Sequence, residues 1–121
     1  MNPVNWFEIP VNDIERAKGF YQNILGIEMA ITEMGPNLMA WFPGGPGEPN
    51  ATGTLLKAEG AVPSYEGTTV YFSVEDIEAT LAKINDNGGK TLAPKMNIGE
   101  YGFIAQFEDC EGNRVALHAT S

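Results

Sequence analysis

The sequence predicts an α+β fold in which two βαβββ modules form curved sheets around a cleft. The first observation behind this prediction is an internal repeat: Val-Asn-Asp-Ile-Glu at residues 11–15 recurs as Val-Glu-Asp-Ile-Glu at residues 74–78. The second is that each copy follows a strand-like alternation and opens a helical pattern. The third is that a series of strand-like runs follows each helical pattern.

The length of 121 residues is close to that of one domain. We therefore interpret residues 1–121 as a single domain of two repeated modules, at about residues 4–57 and 68–119, joined by a linker at residues 58–67. Each sheet would have one face on its helix and the other toward the second module. The two halves would then enclose a cleft, which is the default site for a small ligand.

The first module begins with alternating apolar residues at positions 6–11, which predict a strand. Asp13 has the side chain of a helix N-cap and Gly26 follows the helical pattern, so a helix is expected between them. The segment at residues 43–50 is rich in proline and glycine, which predicts a loop. Further strands are predicted at residues 27–32, 38–42 and 53–57, with a turn at residues 35–37.

The second module repeats this order. A strand is predicted at residues 69–74, and the helix that follows begins after its N-cap, Asp76, and ends at Gly88 and Gly89. Residues 95–102 predict a loop with glycine hinges beside the cleft. A tight turn at residues 111–113 leads into the last strand. The other strands are predicted at residues 90–92, 102–107 and 114–118.

Composition narrows the range of functions. Sixteen acidic and seven basic residues give a formal charge of −9, which argues against nucleic acid and anionic membrane surfaces as partners. No stretch is apolar for long enough to span a bilayer, and the first residues lack the pattern of a secretory signal, so we expect a cytoplasmic protein. The single cysteine, Cys110, excludes an intrachain disulfide, and the acidic residues beside it disfavour a reactive thiolate.

The chain resembles the vicinal oxygen chelate superfamily, which includes glyoxalase I, bleomycin-resistance proteins, fosfomycin-resistance enzymes and extradiol dioxygenases. The resemblance covers roughly residues 5–118 and includes the paired modules themselves. Its most specific parts are Ile9-Pro10-Val11-x-Asp13-Ile14-x-x-Ala17-x-x-Phe20-Tyr21 and the closing Asp109-x-x-Gly112-Asn113. These parts support the fold more strongly than the chemistry, because many functions share this scaffold.

Enzymes of this superfamily hold a divalent metal with His, Gln and Glu side chains from the first and last strands of both modules. The resemblance implies that the first-strand positions are Trp6 and Thr69 in this chain, and that the last-strand position of the second module is Ala116. The equivalent position in the first module falls near Leu55 or Leu56. Because these side chains are poor metal ligands, we expect the metal of the family to be absent.

The lining of the cleft follows from period-two alternation. If Trp6 faces the cleft, then Glu8 faces it too. By the same rule, Tyr71 faces the cleft if Thr69 does, and His118 faces it if Ala116 does. The aromatic residues Trp6, Trp41, Phe42 and Tyr101 could provide stacking surfaces, although strand aromatics also build cores. From these residues we predict Trp6, Thr69, Tyr71 and Tyr101 as ligand-binding residues.

Glu8 and His118 are the candidates for acid–base chemistry. A carboxylate in a poorly hydrated cleft could move a proton or pair with a cationic ligand, but Glu8 could also form an ion pair with Arg114 or Lys57. His118 is the only histidine and would supply any imidazole a mechanism needs, or it could lie at the surface or in a dimer contact.

Three functions stay open at this point. The first is a metal-free homodimer that binds a small, neutral or cationic organic molecule in an aromatic-lined cleft. The second is a glyoxalase-like lyase or isomerase, or a dioxygenase relative, which uses Glu8 and His118 or an unrecognised metal site. The third is an assembly or regulatory domain with a vestigial cleft.

Overall fold

The structure, a computed structural model, describes residues 3–45 and 50–121. The predicted loop at residues 43–50 therefore lies partly outside the described residues. The elements are β1 (Trp6–Pro10), α1 (Ile14–Leu25), β2 (Ala30–Met34), β3 (Asn37–Trp41), β4 (Thr52–Lys57), β5 (Tyr71–Ser73), α2 (Ile77–Asp86), β6 (Lys90–Asn97), β7 (Phe103–Glu108) and β8 (Arg114–Ala119), with a 3₁₀ turn at Gly99–Tyr101 between β6 and β7.

The strands form two sheets of four, in the orders β1-β4-β3-β2 and β5-β8-β7-β6. In each sheet the first strand pairs in parallel with the last strand of its module, and the other pairs are antiparallel. Both modules therefore have the predicted βαβββ order, and the α+β fold is confirmed. One consequence is that β1 and β5 are both edge strands, each with one side unpaired within its own sheet.

Both predicted helix caps are confirmed. The carboxylates of Asp13 and Asp76 accept hydrogen bonds at 3.0 Å from the backbone N–H groups of Arg16 and Ala79 respectively. Gly26 ends α1 in the left-handed conformation, with φ of 65°, which glycine adopts at little cost. The repeated Asp-Ile-Glu therefore encodes the same helix start twice.

The prediction for β2 was wrong at its beginning, since the strand starts at Ala30 rather than at residue 27. The intervening residues are bonded to the end of α1. The Ile27 N–H reaches the carbonyl of Gln22, and the Met29 N–H donates to the Gln22 side chain at 2.9 Å. These bonds hold the backbone away from the sheet ladder.

The prediction for β6 was wrong in its length. The strand continues to Asn97, so much of the loop expected at residues 95–102 is strand or 3₁₀ turn. Its pairing with β7 shifts register twice between Thr91 and Met96. Pro94 lies within this irregular stretch, and a proline without an N–H is tolerated at a bulge or on an edge strand such as this one.

An aromatic cluster joins the two modules in the core. Phe72 of β5 lies with its ring centroid 5.9 Å from Phe7, 5.3 Å from Phe42 and 5.8 Å from Tyr21, all three of which belong to the first module. Aromatic rings at these separations add specific geometry to the burial of apolar area. The helices lie on the same side as this core, with α1 against β3 and β4, α2 against the second sheet, and the two helices in mutual contact.

The β7–β8 turn is a second junction between the modules, and it is polar. The buried Asp109 carboxylate accepts hydrogen bonds from the Tyr21 hydroxyl at 2.8 Å and from the side chain and backbone N–H of Asn113 at 3.0 and 2.9 Å. Burial, and then the charge of Asp109, raise the pKa of Tyr21 well above its ordinary value, so Tyr21 donates and Asp109 accepts. The Asn113 amide also donates to the carbonyl of Pro10 at the end of β1.

Glu111 completes this turn. Its carboxylate accepts from the backbone N–H groups of Asn12 and Asp13 and forms an ion pair at 2.6 Å with Arg16 on α1. We call the side chains of Asp109, Glu111 and Asn113 the turn clamp. It fixes the closing hairpin of the second module to the β1–α1 junction of the first.

Removing the Asp109 carboxylate should strongly destabilise the protein. The substitution Asp109→Ala leaves the buried Tyr21 hydroxyl and the Asn113 amide without their acceptor, so we expect the free energy of unfolding to fall by about 3 kcal/mol. Urea denaturation followed by circular dichroism measures this change. The exposed Asp86 at the end of α2 is a matched control, and Asp86→Ala should change stability by less than about 0.5 kcal/mol. Equal effects of the two substitutions would contradict the role of the clamp.

Candidate ligand-binding cleft

A cavity of about 1140 Å³ lies between the modules, where residues of β1 and β5 line it together. Its walls include aromatic side chains of both modules, among them Phe7, Phe42 and Phe72 of the core cluster. Four of the predicted site residues line it: Trp6, Glu8, Thr69 and Tyr71. The predicted alternation holds for Trp6 and Glu8, which are exposed, and for Ile9, which is buried, whereas Phe7 is half-buried and contacts both the core cluster and the cavity.

The first-module wall is built around Trp6. Its ring lies 5.2 Å from that of Trp41 in an edge-to-face arrangement, and its indole N–H points to the Glu8 carboxylate at 3.4 Å. Trp41 is held in turn by a hydrogen bond of 2.9 Å from its own indole N–H to the Thr32 hydroxyl. The Trp6 ring is 37% exposed, so an aromatic surface is available at the cavity.

The second-module wall consists of Thr69, Tyr71 and the start of α2. Tyr71 is about half exposed. Acidic residues outnumber basic residues around the cavity, with Glu8, Glu75 and Asp76 against Lys83. The walls therefore combine apolar area with an excess of negative charge, which favours neutral or cationic molecules over anions.

Tyr101 and His118 are not among the residues that line this cavity. Tyr101 lies on the 3₁₀ turn and is 70% exposed, and its backbone carbonyl is 2.6 Å from His118 Nε2. A carbonyl only accepts, so Nε2 carries the proton. Glu8 and His118 lie in different sheets, and no hydrogen bond joins them among the described residues.

The two ion pairs among the described residues are Arg16–Glu111 and Lys90–Glu108. The ion pair that Glu8 could have formed with Arg114 or Lys57 is therefore not observed. Glu8 and Arg114 do line a smaller cavity of about 80 Å³ together. Arg114 was not predicted as a site residue, although alternation from Ala116 and His118 would have placed it on the same face.

The strand register corrects one of the family's metal positions. Tyr71 pairs with Ala116, and Glu8, the residue equivalent to Tyr71 in the repeat, pairs with Thr54. The counterpart of Ala116 is therefore Thr54, and the prediction near Leu55 or Leu56 was wrong. Leu55 is fully buried in the hydrophobic core, on the face opposite to Thr54.

The residues at these four positions do not fit a divalent metal. An indole, two hydroxyls and a methyl group, from Trp6, Thr54, Thr69 and Ala116, offer no carboxylate or imidazole. The Thr54 hydroxyl is fully buried and has no hydrogen-bond partner among the described residues. Within residues 3–45 and 50–121, no group of three or more His, Cys, Asp or Glu side chains is placed to hold a metal ion.

Cys110 is partly buried and offers no nucleophile. Burial, followed by the charges of Asp109 and Glu111, raises the pKa of the thiol to about 12. The thiol is therefore protonated near neutral pH, as its acidic neighbours in the sequence indicate.

Comparison with known proteins agrees with this architecture. The family description "Glyoxalase/Bleomycin resistance protein/Dioxygenase superfamily" matches residues 4–117, nearly the whole chain. The chain belongs to this superfamily. It is also 31% identical to a glyoxylase-like domain-containing protein of Didymella fabae, over 94% of this chain and 91% of that protein.

Solved structures of the superfamily have the same fold. A variant of glyoxalase I from Zea mays superposes with a TM-score of 0.73 and 23% identity over 98% of this chain, which spans 46% of the maize protein. TnmS3, described as an antibiotic-binding protein from Streptomyces sp. CB03234, superposes with a TM-score of 0.64 and 23% identity over 100% of this chain and 98% of that one. Among the described residues of this chain, no helix has the length and apolar character to cross a membrane.

Proposed function

We propose that this protein binds a small planar organic molecule, neutral or cationic, in the cleft between its two modules, without a metal held by the protein. The observation that carries the proposal is the content of the four positions that hold metal in the family's enzymes. Trp6 and Thr69 give the cavity an aromatic ring and a hydroxyl, Thr54 and Ala116 are fully buried, and none of the four offers a charged ligand.

The size and lining of the cavity support binding of an organic molecule. Sites for small ligands are typically about 300–1,000 Å³, mostly apolar, with a few polar groups that fix orientation. The cavity of about 1140 Å³ reaches this size, with Trp6 and Tyr71 as exposed rings and Glu8 and Thr69 as polar groups. TnmS3, which has the same fold, is described as an antibiotic-binding protein, and this similarity supports the proposal.

A homodimer is part of the proposal. Large apolar side chains remain exposed on strands away from the core, including Met34, Trp41 and Met96. A second copy of the chain would cover part of this surface and complete the rim of the cleft. Because Glu8 and His118 are not brought together, the proposal includes no acid–base step.

Divalent metals should leave the protein unaffected. We expect Ni²⁺, Zn²⁺, Mn²⁺ or EDTA to leave the melting temperature unchanged, since the cleft lacks ligands for them. One tightly bound divalent ion per wild-type chain, found by elemental analysis, would contradict the proposal.

A planar cation should bind in the cleft better than a planar anion. We expect ethidium to bind at low salt with at least about fivefold higher affinity than anilinonaphthalene sulfonate, because the walls carry an excess of acidic residues. Trp6→Ala should weaken ethidium binding by about tenfold through loss of the aromatic surface, and Glu8→Gln should reduce the preference for the cation. Fluorescence titration measures all of these affinities. Val62→Ala removes an exposed apolar side chain outside the cavity lining and should have no effect, whereas equal losses in the Trp6 and Val62 variants would indicate nonspecific binding.

A further inference from the structure

The small cavity beside the cleft is lined by an arginine whose side chain the fold leaves partly unpaired. Its volume is about 80 Å³, and it lies among residues from the end of β1, the linker, the start of β5 and the start of β8. Arg114 is one of its lining residues. The Nε atom of Arg114 is buried and has no hydrogen-bond partner among the described residues.

A buried donor without an acceptor is unfavourable, and native structures rarely keep one without a reason. No carboxylate lies within ion-pair distance of Arg114 among the described residues, whose two ion pairs involve other side chains. The Arg114 backbone, in contrast, is bonded, with its N–H donating to the carbonyl of Ser64 at 3.2 Å. The strand is therefore anchored at this residue, while the guanidinium has no acceptor for its Nε–H among the described residues.

The small cavity lies next to the large one. Glu8, Thr68 and Val70 line both, so a group that reaches past these three residues from the cleft would enter the smaller space. A volume of 80 Å³ is enough for an acetyl or amide group, or for two or three water molecules at about 30 Å³ each. The large cavity would then hold the planar body of the ligand and the small cavity one polar substituent.

The charges around the small cavity decide which substituent fits. Arg114 is cationic, but Glu8 and Glu66 line the same cavity, so a carboxylate or phosphate would approach two negative groups for one positive group. A neutral acceptor avoids this repulsion and still gives the guanidinium a hydrogen-bond partner. A carbonyl oxygen is the smallest group with this chemistry.

We infer that Arg114 is a specificity-determining residue, whose guanidinium donates a hydrogen bond to a neutral carbonyl oxygen of the ligand in the small cavity. This inference rests on the proposed function of the cleft and names the chemical class of its ligand: a planar aromatic body with a ketone, amide or similar carbonyl substituent. It also assigns a recognition role to a residue outside the family's metal positions.

The test compares two probes, 2-acetylnaphthalene and 2-ethylnaphthalene, which differ by one carbonyl oxygen. In the wild-type protein we expect the acetyl compound to bind about tenfold more tightly, as one hydrogen bond from a charged donor would produce. In Arg114→Met the two affinities should become equal. Lys57→Met removes an exposed cation outside both cavities and should keep the tenfold preference.

A direct readout needs no substitution. The chain has two arginines, Arg16 and Arg114, so a ¹⁵N-labelled sample gives two Nε–H signals in the NMR spectrum. Arg16 Nε already donates to Glu111 at 2.9 Å and serves as an internal reference. We expect 2-acetylnaphthalene to shift the Arg114 signal and leave the Arg16 signal in place, and 2-ethylnaphthalene to shift neither.

Two results would overturn the inference. If both probes bind wild-type protein equally and the Arg114 signal does not move, Arg114 does not recognise a carbonyl group, although the cleft still binds aromatic molecules as proposed. If neither probe binds wild-type protein, the proposed function of the cleft itself is contradicted, and the role of Arg114 falls with it.

Discussion

The cleft depends on the turn clamp, because the clamp fixes how one module lies against the other. Asp109, Glu111 and Asn113 belong to the second module, and their hydrogen-bond partners include Tyr21, the Pro10 carbonyl and the N–H groups at the start of α1. Each of these charged or amide groups is buried, so leaving one unpaired is costly and the arrangement is strongly specified. The aromatic cluster around Phe72 adds apolar contact at the same junction, but contact between apolar rings alone does not fix a unique orientation as hydrogen bonds do.

The orientation of the two modules determines what surrounds the edge strands β1 and β5. In an isolated sheet, β1 and β5 would each present unpaired backbone groups to water. In this fold the side chains of both strands line one shared cavity. The strands therefore leave space for a ligand, which closer packing of the two modules would have filled. The close pairing of β1 with β4 contributes to this wall, since a Cβ atom on Gly53 would lie 2.0 Å from the Phe7 carbonyl oxygen. Of the four positions equivalent to the metal ligands of the superfamily's enzymes, Trp6 and Thr69 lie on this surface, whereas Thr54 and Ala116 are fully buried.

Much of the architecture could be predicted from the sequence because it is encoded locally. The repeated Asp-Ile-Glu marks both helix starts through N-cap chemistry, and strict alternation at Trp6–Pro10 separates the cleft face from the core face. The strand predictions were wrong where hydrogen bonds that the hydrophobic pattern does not reveal set the backbone conformation. The Gln22 side chain holds the residues before β2, and pairing with β7 extends the strand through residues 95–97, which composition alone assigns to a loop. Thr54 and Arg114 were missed for a related reason, because the register of β4 and the contents of the small cavity depend on pairing across the sheet.

We propose that a ligand occupies the space between β1 and β5, in a site that needs no metal. Hydrogen–deuterium exchange followed by mass spectrometry, with and without ethidium and in the presence of EDTA, tests this claim most directly. We expect ethidium to slow deuterium uptake in peptides that cover residues 3–10 and 68–76 and to leave peptides of β2 and β6 unchanged. Slower uptake in β2 or β6 alone, or protection that disappears when EDTA is added, would contradict the account.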